Sequence, residues 1–330
     1  MWLLRASVGL HSGKRLVIVG GMVSGGFTDL VGCQLPLQLA SLGGPVGTPR
    51  LAAAVSEAGG LGMIPNPSSG LEVEQLVEQA RALTARPLGV GFLVPFVSPE
   101  AVDAASRTAD VVEFFYGEPD PALIRLARAG GGLAGWQTGS AAEARAAANA
   151  GCDYVVAQGI EAGGHVRGRQ HLDEVLAETL DEVDIPVVAA GGVGTAQRVA
   201  ELISSGASAV RVGTRFVAAE ESDAHPIYVE MLVAASAEDT VLCETFAAGW
   251  PDAPHRVLRA AAERAEQLDA ECVGVLGDRN IAPFAPLPPT SQVRGEVAAM
   301  ALYAGESVGA VTGVQPAREI VEELAGVPAS

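Results

Sequence analysis

A chain of 330 residues, 49% hydrophobic and 18% charged, has the material for a large core, and its 40 glycines supply many tight turns; one α/β barrel with an insertion fits this better than two separate domains. Its net charge of −18, from 39 acidic against 21 basic residues, repels phosphate backbones and anionic lipid headgroups, which excludes nucleic acid and membrane surfaces as partners. The four cysteines, Cys33, Cys152, Cys243 and Cys272, lie far apart with no CxxC or Cys/His ligand spacing, so they read as reduced thiols of a cytoplasmic protein.

Residues 1–26 are expected to form a disordered extension outside the barrel. MWLLRASVGL lacks both the apolar core and the cleavage site of a signal peptide, and Met22 is an alternative start. KRLVIVGGMVSGG lacks the full GxGxxG spacing and a following helix. No apolar run reaches the roughly 18 residues that cross a bilayer. From residue 34 a βα rhythm begins. Strands are expected at 34–40, 61–64, 88–94, 111–115 and 133–137, then in the run after Asp153, at 185–190 and at 209–212. Helices are expected from Pro49 to Gly59, at 71–84, 121–128, 141–150, 172–180 and 196–204. Eight such strands make a closed (β/α)8 TIM barrel, built from residues 27–224 and 288–330. Residues 225–287, with helical patterns at 226–235 and 255–268, form a small helical domain inserted over the rim. Helical pattern returns at 292–303 and 316–324, completing the wall.

The chemistry gathers at three strand ends. The apolar run Tyr154 to Ala157 breaks at Gln158, and Gly163 and Gly164 are followed at once by His165. The next strand ends in Gly191, Gly192, Val193, Gly194 and Thr195, and the last in Gly213 and Thr214. Glycine turns after the last two strands are where barrels bind phosphate through loop amides. Backbone donors matter here because Lys14, in the extension, is the chain's single lysine.

Competing constellations are weaker. Gly305 to Gly309 matches GxSxG, but no Asp or His follows Ser307 to complete a triad. The histidines show no metal-ligand spacing, so no metal is expected. Phe114, Phe115, Tyr116 and Trp136 read as core more than as a cofactor wall.

QGIEAGGHVRG at 158–168, AAGGVGT at 189–195, VGTRF at 212–216 and YAGESVG at 303–309 resemble the nitronate monooxygenase family. PRLAAAVSEAGGLGMI at 49–64 and PAREIVEEL at 316–324 resemble it too. The resemblance implies an FMN-dependent barrel that oxidises alkyl nitronates, and nitroalkanes, with O₂. It implies flavin contacts from Gln158, Gly163 and Gly164, phosphate contacts from Gly191, Gly192 and the stretch Arg211, Val212, Gly213 and Thr214, and His165 as catalytic base. An imidazole titrating near about 6.5 suits that role. Three departures stand out: Gln38-Leu39-Ala40-Ser41-Leu42 replaces the usual first-strand motif, Gly91 replaces an Asn, and Arg211 replaces a Gln. Two rivals stay open, an NAD(P)H-dependent FMN reductase acting on quinones or enoyl-acyl carrier protein, and a barrel that binds a phosphorylated metabolite without redox chemistry. A homo-oligomer is compatible with either.

Overall fold

The computed structural model of the chain describes residues 17–19, 22–24 and 26–327. Eight parallel strands form a barrel: β1 (Leu37–Leu39), β2 (Gly62–Pro65), β3 (Leu88–Leu93), β4 (Val111–Phe115), β5 (Leu133–Thr138), β6 (Tyr154–Gln158), β7 (Val187–Ala190) and β8 (Ala209–Val212). They pair in sequence order from β2 to β8, and β8 pairs with β1. The ring closes between β1 and β2 through the bridge from Gln38 to Leu61, where Leu39 N donates to Leu61 O at 2.9 Å and Leu61 N to Leu37 O at 2.8 Å. Every predicted strand forms, and β4 and β8 keep the predicted bounds. Val155, Val156, Val187, Val188 and Val210 are buried, as expected of strands covered outside by helices and inside by the barrel.

The outer layer is α1 (Pro49–Glu57), α2 (Gly70–Arg81), α3 (Pro99–Thr108), α4 (Pro121–Arg128), α5 (Ala141–Ala150), α6 (Leu172–Glu182) and α7 (Ala196–Ser204). Five of these starts are written locally. The side chains of Thr48, Ser69, Asp120, Ser140 and Thr195 each accept a hydrogen bond from a backbone N–H two or three residues on. Helix α3 is absent from the sequence reading. Its buried face, Ala101, Val102, Ala104 and Ala105, follows Pro99 at the first helical position, signals that were available in the sequence.

After β8 come the short α8 (Thr214–Val217), α9 (Pro226–Val233), β9 (Thr240–Cys243), β10 (His255–Leu258) and α10 (Arg259–Gln267). The helix expected over 255–268 therefore begins four residues late. His255 to Leu258 are strand because they find partners on both sides, β9 and the pair Gly164–His165. The helix expected at 292–303 does not form. Arg294–Gly295 joins the hairpin Gly274–Leu276 and Arg279–Ile281, and Gly295 sits at φ 134, outside helical geometry. Val273, Ile281, Val293, Val297 and Met300 make a separate small core there. Helix α11 (Ala317–Leu324) packs against α1 and α7 and takes the eighth position in the wall.

Most of the N-terminal extension lies outside the described residues; within it, Val17–Val19 pairs antiparallel with Met22–Ser24. Phe27 is buried and meets the Tyr154 ring edge-on at 5.2 Å, at the amino end of β6. No described helix is long and apolar enough to cross a membrane.

Candidate active site

The loop after β6 is pinned from three directions. Gln158 turns back on it, Nε2 donating to His165 O at 2.9 Å and Oε1 accepting from Arg167 N at 3.3 Å. Its amide thus braces the loop, although Gln158 also borders the cleft. Gly164 and His165 pair antiparallel with Arg256 and His255. The Arg256 guanidinium donates to Ile160 O from Nε at 3.1 Å and Nη2 at 2.9 Å, and pairs with Glu306 at 3.1 Å. The third contact needs a glycine: a Cβ on Gly163 would lie 2.5 Å from Gly305 N, so only a bare backbone admits the segment carrying Gly305.

His165 stands between the loop and the segment above it. Its ring stacks on Trp250 with centroids 4.0 Å apart and planes 26° apart, and Tyr116 meets it edge-on at 5.8 Å. Nε2 is buried with no hydrogen-bond partner. Burial first, and His255 second, pull the His165 pKa down to about 3. The expectation of an imidazole titrating near neutrality is therefore corrected: this one is neutral throughout the physiological range. His255 is neutral too, since burial lowers its pKa. Its partners fix the tautomer. Nδ1 lies 2.9 Å from Ala253 O and must donate, while Nε2 accepts from Phe246 N at 3.1 Å.

Across the cleft, β7 and β8 end in backbone alone. Gly191 and Gly192 take φ of 118° and 64°, left-handed conformations that strain other residues. The amides of Gly191, Gly192 and Gly213 donate to no other described residue and all three residues border the cleft, which makes them candidates for an anion nest. Thr214 borders the same cleft, its Oγ1 accepting from Gly305 N at 3.0 Å.

Two predicted phosphate contacts fall elsewhere. Val212 is buried in β8 and does not reach the cleft. Arg211 reaches it at the barrel floor, not at the nest, and its charge is spent there: Nη2 pairs with Glu113, Nη1 donates to Gln137 Oε1, and Nε donates to Gln38 Oε1 at 3.3 Å. Seven of the ten predicted site residues, Gly163, Gly164, His165, Gly191, Gly192, Gly213 and Thr214, thus line one cleft with positions open to a ligand, and Gln158 and Arg211 line it with occupied side chains.

Several lining residues escaped the sequence reading. Glu113 carried the clearest signal, a charge in the middle of the apolar run VVEFF. Ser41 Oγ is buried without a partner, and a Cβ on Gly91 would meet it at 2.2 Å, so the loss of the usual Asn makes room for this hydroxyl. Trp250, which packs on His165 from 85 residues away and lies in no recognisable motif, gave no signal at all. Four non-glycine described residues have positive φ: Asn66 (36°), Tyr116 (65°), Asp252 (55°) and Phe284 (60°). Asn66 lines the cleft, Tyr116 touches His165, and the other two flank the strap that carries Trp250. Of the aromatic quartet, Phe114 and Trp136 are core as expected, whereas Phe115 lines the cleft. The GxSxG stretch is a 3₁₀ turn, Glu306–Ala310, not a strand-to-helix elbow. No cluster of metal-ligating side chains occurs among the described residues.

The cleft encloses about 1280 Å³, counted out to its open mouth. Its unpaired donors at the glycine end, orphaned Ser41 Oγ and His165 Nε2, and polar floor fit a phosphorylated ligand with a flat polar ring system, as a flavin mononucleotide is.

The family model described as nitronate monooxygenase matches residues 24–107 and 94–326. A (3aS,4S,5R,7aS)-5-hydroxy-7a-methyl-1-oxo-octahydro-1H-indene-4-carboxyl-CoA dehydrogenase of Rhodococcus jostii is 34% identical over 233 residues, 70% of this chain and 64% of that protein. The chain thus spans less than two thirds of that relative. A nitronate monooxygenase of Pseudomonas aeruginosa is 33% identical over 269 residues, 66% of this chain and 76% of that protein. Among solved structures, FabK from Thermotoga maritima superposes with a TM-score of 0.74 at 32% identity, covering 90% of this chain and 93% of that one. A nitroalkane oxidase from Streptomyces ansochromogenes does so with a TM-score of 0.74 at 30% identity, covering 91% and 96%. With the match running over nearly all described residues and the glycine turns in their expected places, the chain belongs to the nitronate monooxygenase family.

Proposed function

We propose that the protein binds FMN in this cleft and oxidises alkyl nitronates with O₂. The observation that carries the reading is that the glycine turns after β7 and β8 and His165, whose Nε2 is buried without a partner, border one cleft. Bound flavin supplies the electron transfer. The chain's own residues hold and orient: Gly191, Gly192, Gly213 and Thr214 take the phosphate through backbone groups, Gly163 and Gly164 admit the ring system, and the stacked Trp250 keeps water from His165.

His165 favours the nitronate over its conjugate nitroalkane. Lowering its pKa from 6.5 to about 3 removes about 5 kcal/mol of proton affinity, a heavy handicap for a base that must strip a carbon acid. A nitronate arrives deprotonated, and a neutral imidazole N–H can orient it without any proton transfer. For a nitroalkane His165 would still be the candidate base, acting against that handicap.

Anaerobic mixing of FMN-loaded protein with ethyl nitronate tests the reading. Loss of the flavin's visible band on mixing supports it. Bleaching by NADH and not by nitronate points instead to the reductase. The His165→Asn variant should lose more activity on nitroethane than on its nitronate, and equal losses on both contradict the assigned roles.

A further inference from the structure

The polar floor of the cleft has no part in the chemistry above. Glu113, Gln137 and Arg211 all border the cleft and are 2%, 6% and 6% exposed. A carboxylate is costly to bury at such a place, and Glu113 is compensated on one side only. Its Oε2 accepts from Arg211 Nη2, from Tyr154 Oη at 2.8 Å and from Gln38 Nε2 at 3.1 Å. Its Oε1 accepts from no described residue. Gln137 shows the same asymmetry, since its Oε1 takes Arg211 Nη1 while its Nε2 donates to no described residue.

The Arg211 guanidinium sets these two groups beside each other. Its adjacent terminal nitrogens hold Glu113 Oε2 and Gln137 Oε1, so one guanidinium ties together two cleft-lining side chains that each keep a polar atom, an acceptor on one and a donor on the other, with no partner among the described residues. An acceptor beside a donor is the complement of an N–H beside a C=O. Because Arg211 neutralises Glu113, the pair suits a neutral edge better than an ion.

We propose that Glu113 Oε1 and Gln137 Nε2 form a recognition subsite for an imide edge, Glu113 taking its N–H and Gln137 donating to the adjoining carbonyl. Resting on the flavin reading of this cleft, the edge assigned to it is that of the flavin's pyrimidine ring, and both residues bind the cofactor directly.

The test compares FMN with N3-methyl-FMN on flavin-free protein by quenching of flavin fluorescence. Methylation removes the N–H and leaves Glu113 Oε1 facing an apolar group, so wild type should bind FMN about 30-fold more tightly than the analogue, the weight of one unsatisfied buried charged acceptor. The Glu113→Leu/Arg211→Met double variant removes the ion pair as a unit, leaves no orphaned charge, and should bind both flavins within about 3-fold of each other. Gln137→Leu, which leaves the ion pair in place, should weaken both flavins by about 10-fold and keep their ratio; unchanged affinity removes Gln137 from the subsite. Equal binding of the two flavins by wild type overturns the proposal and leaves the flavin reading standing, whereas binding of neither overturns the flavin reading itself. Saturable binding of uracil, which carries the same edge without ring system or phosphate, at concentrations where FMN does not bind would reassign the subsite to a free cyclic imide.

Discussion

The two sides of the cleft are made of different material. The β7–β8 side offers main-chain amides from Gly191 and Gly192, set by positive φ, and from Gly213, none of which donates to another described residue. The β6 side and the strap above it are side chains packed on one another: His165 on Trp250, Tyr116 against both, Arg256 locking Ile160 to Glu306. The first is fixed by what is missing and the second by what has been brought together. Perturbing the first should change ligand affinity with little cost to the fold, and perturbing the second should change stability and protonation together.

The hardest test of that contrast is Arg211→Met. Leaving the Glu113 carboxylate buried without its partner should lower unfolding free energy by about 3–5 kcal/mol in urea titrations, and adding Glu113→Leu should recover most of it. A smaller but cleaner effect is expected at Gly192. Gly192→Val forces a β-branched residue to φ 64° and crowds the nest, so flavin affinity should fall by about 100-fold while the circular dichroism spectrum is kept. A fold lost along with the affinity would erase the distinction between the two sides.

Trp250→Leu probes the packed side gently. Admitting water to His165 should raise its pKa from about 3 by at least about one unit, read by NMR of the labelled imidazole. An unmoved titration would assign the depression to the loop and His255 alone. The smallest effect is the pH dependence of stability. The unfolded His165 binds a proton below about 6.5, the folded one only near about 3, so the unfolded state holds more protons in between and stability falls as pH drops through that window. Between pH 6.5 and 5.5, above the carboxylate range, His165→Gln should flatten this slope by about 1 kcal/mol.

The same contrast explains how much was legible. The nest is contiguous in sequence, because a turn built of glycines must carry its glycines in a row, so 189–195 and 212–214 could be read directly. The barrel was legible for a similar reason, each strand being a local apolar run and most helices announcing themselves with a capping residue. The packed side is assembled from segments far apart in the chain, and Trp250 or Tyr303 has meaning only after folding. His165 was found by its loop, yet its acidity was misjudged, because the desolvation that sets it comes from those distant segments. Arg211 was assigned to the phosphate by the family resemblance, while the direction of its side chain depended on Glu113, 98 residues away.

The contact of Gly163 with Gly305 also has a bearing on how the protein is made. The β6 loop is translated long before the stretch it must clasp, and α11, which seals the wall between α1 and α7, emerges later still. A ribosome-bound chain can therefore pair most of its strands while the loop that carries His165 still lacks the segment it clasps. That loop is completed only once Gly305 has emerged, so a chain stopped before it would be a nearly whole scaffold with an unfinished cleft.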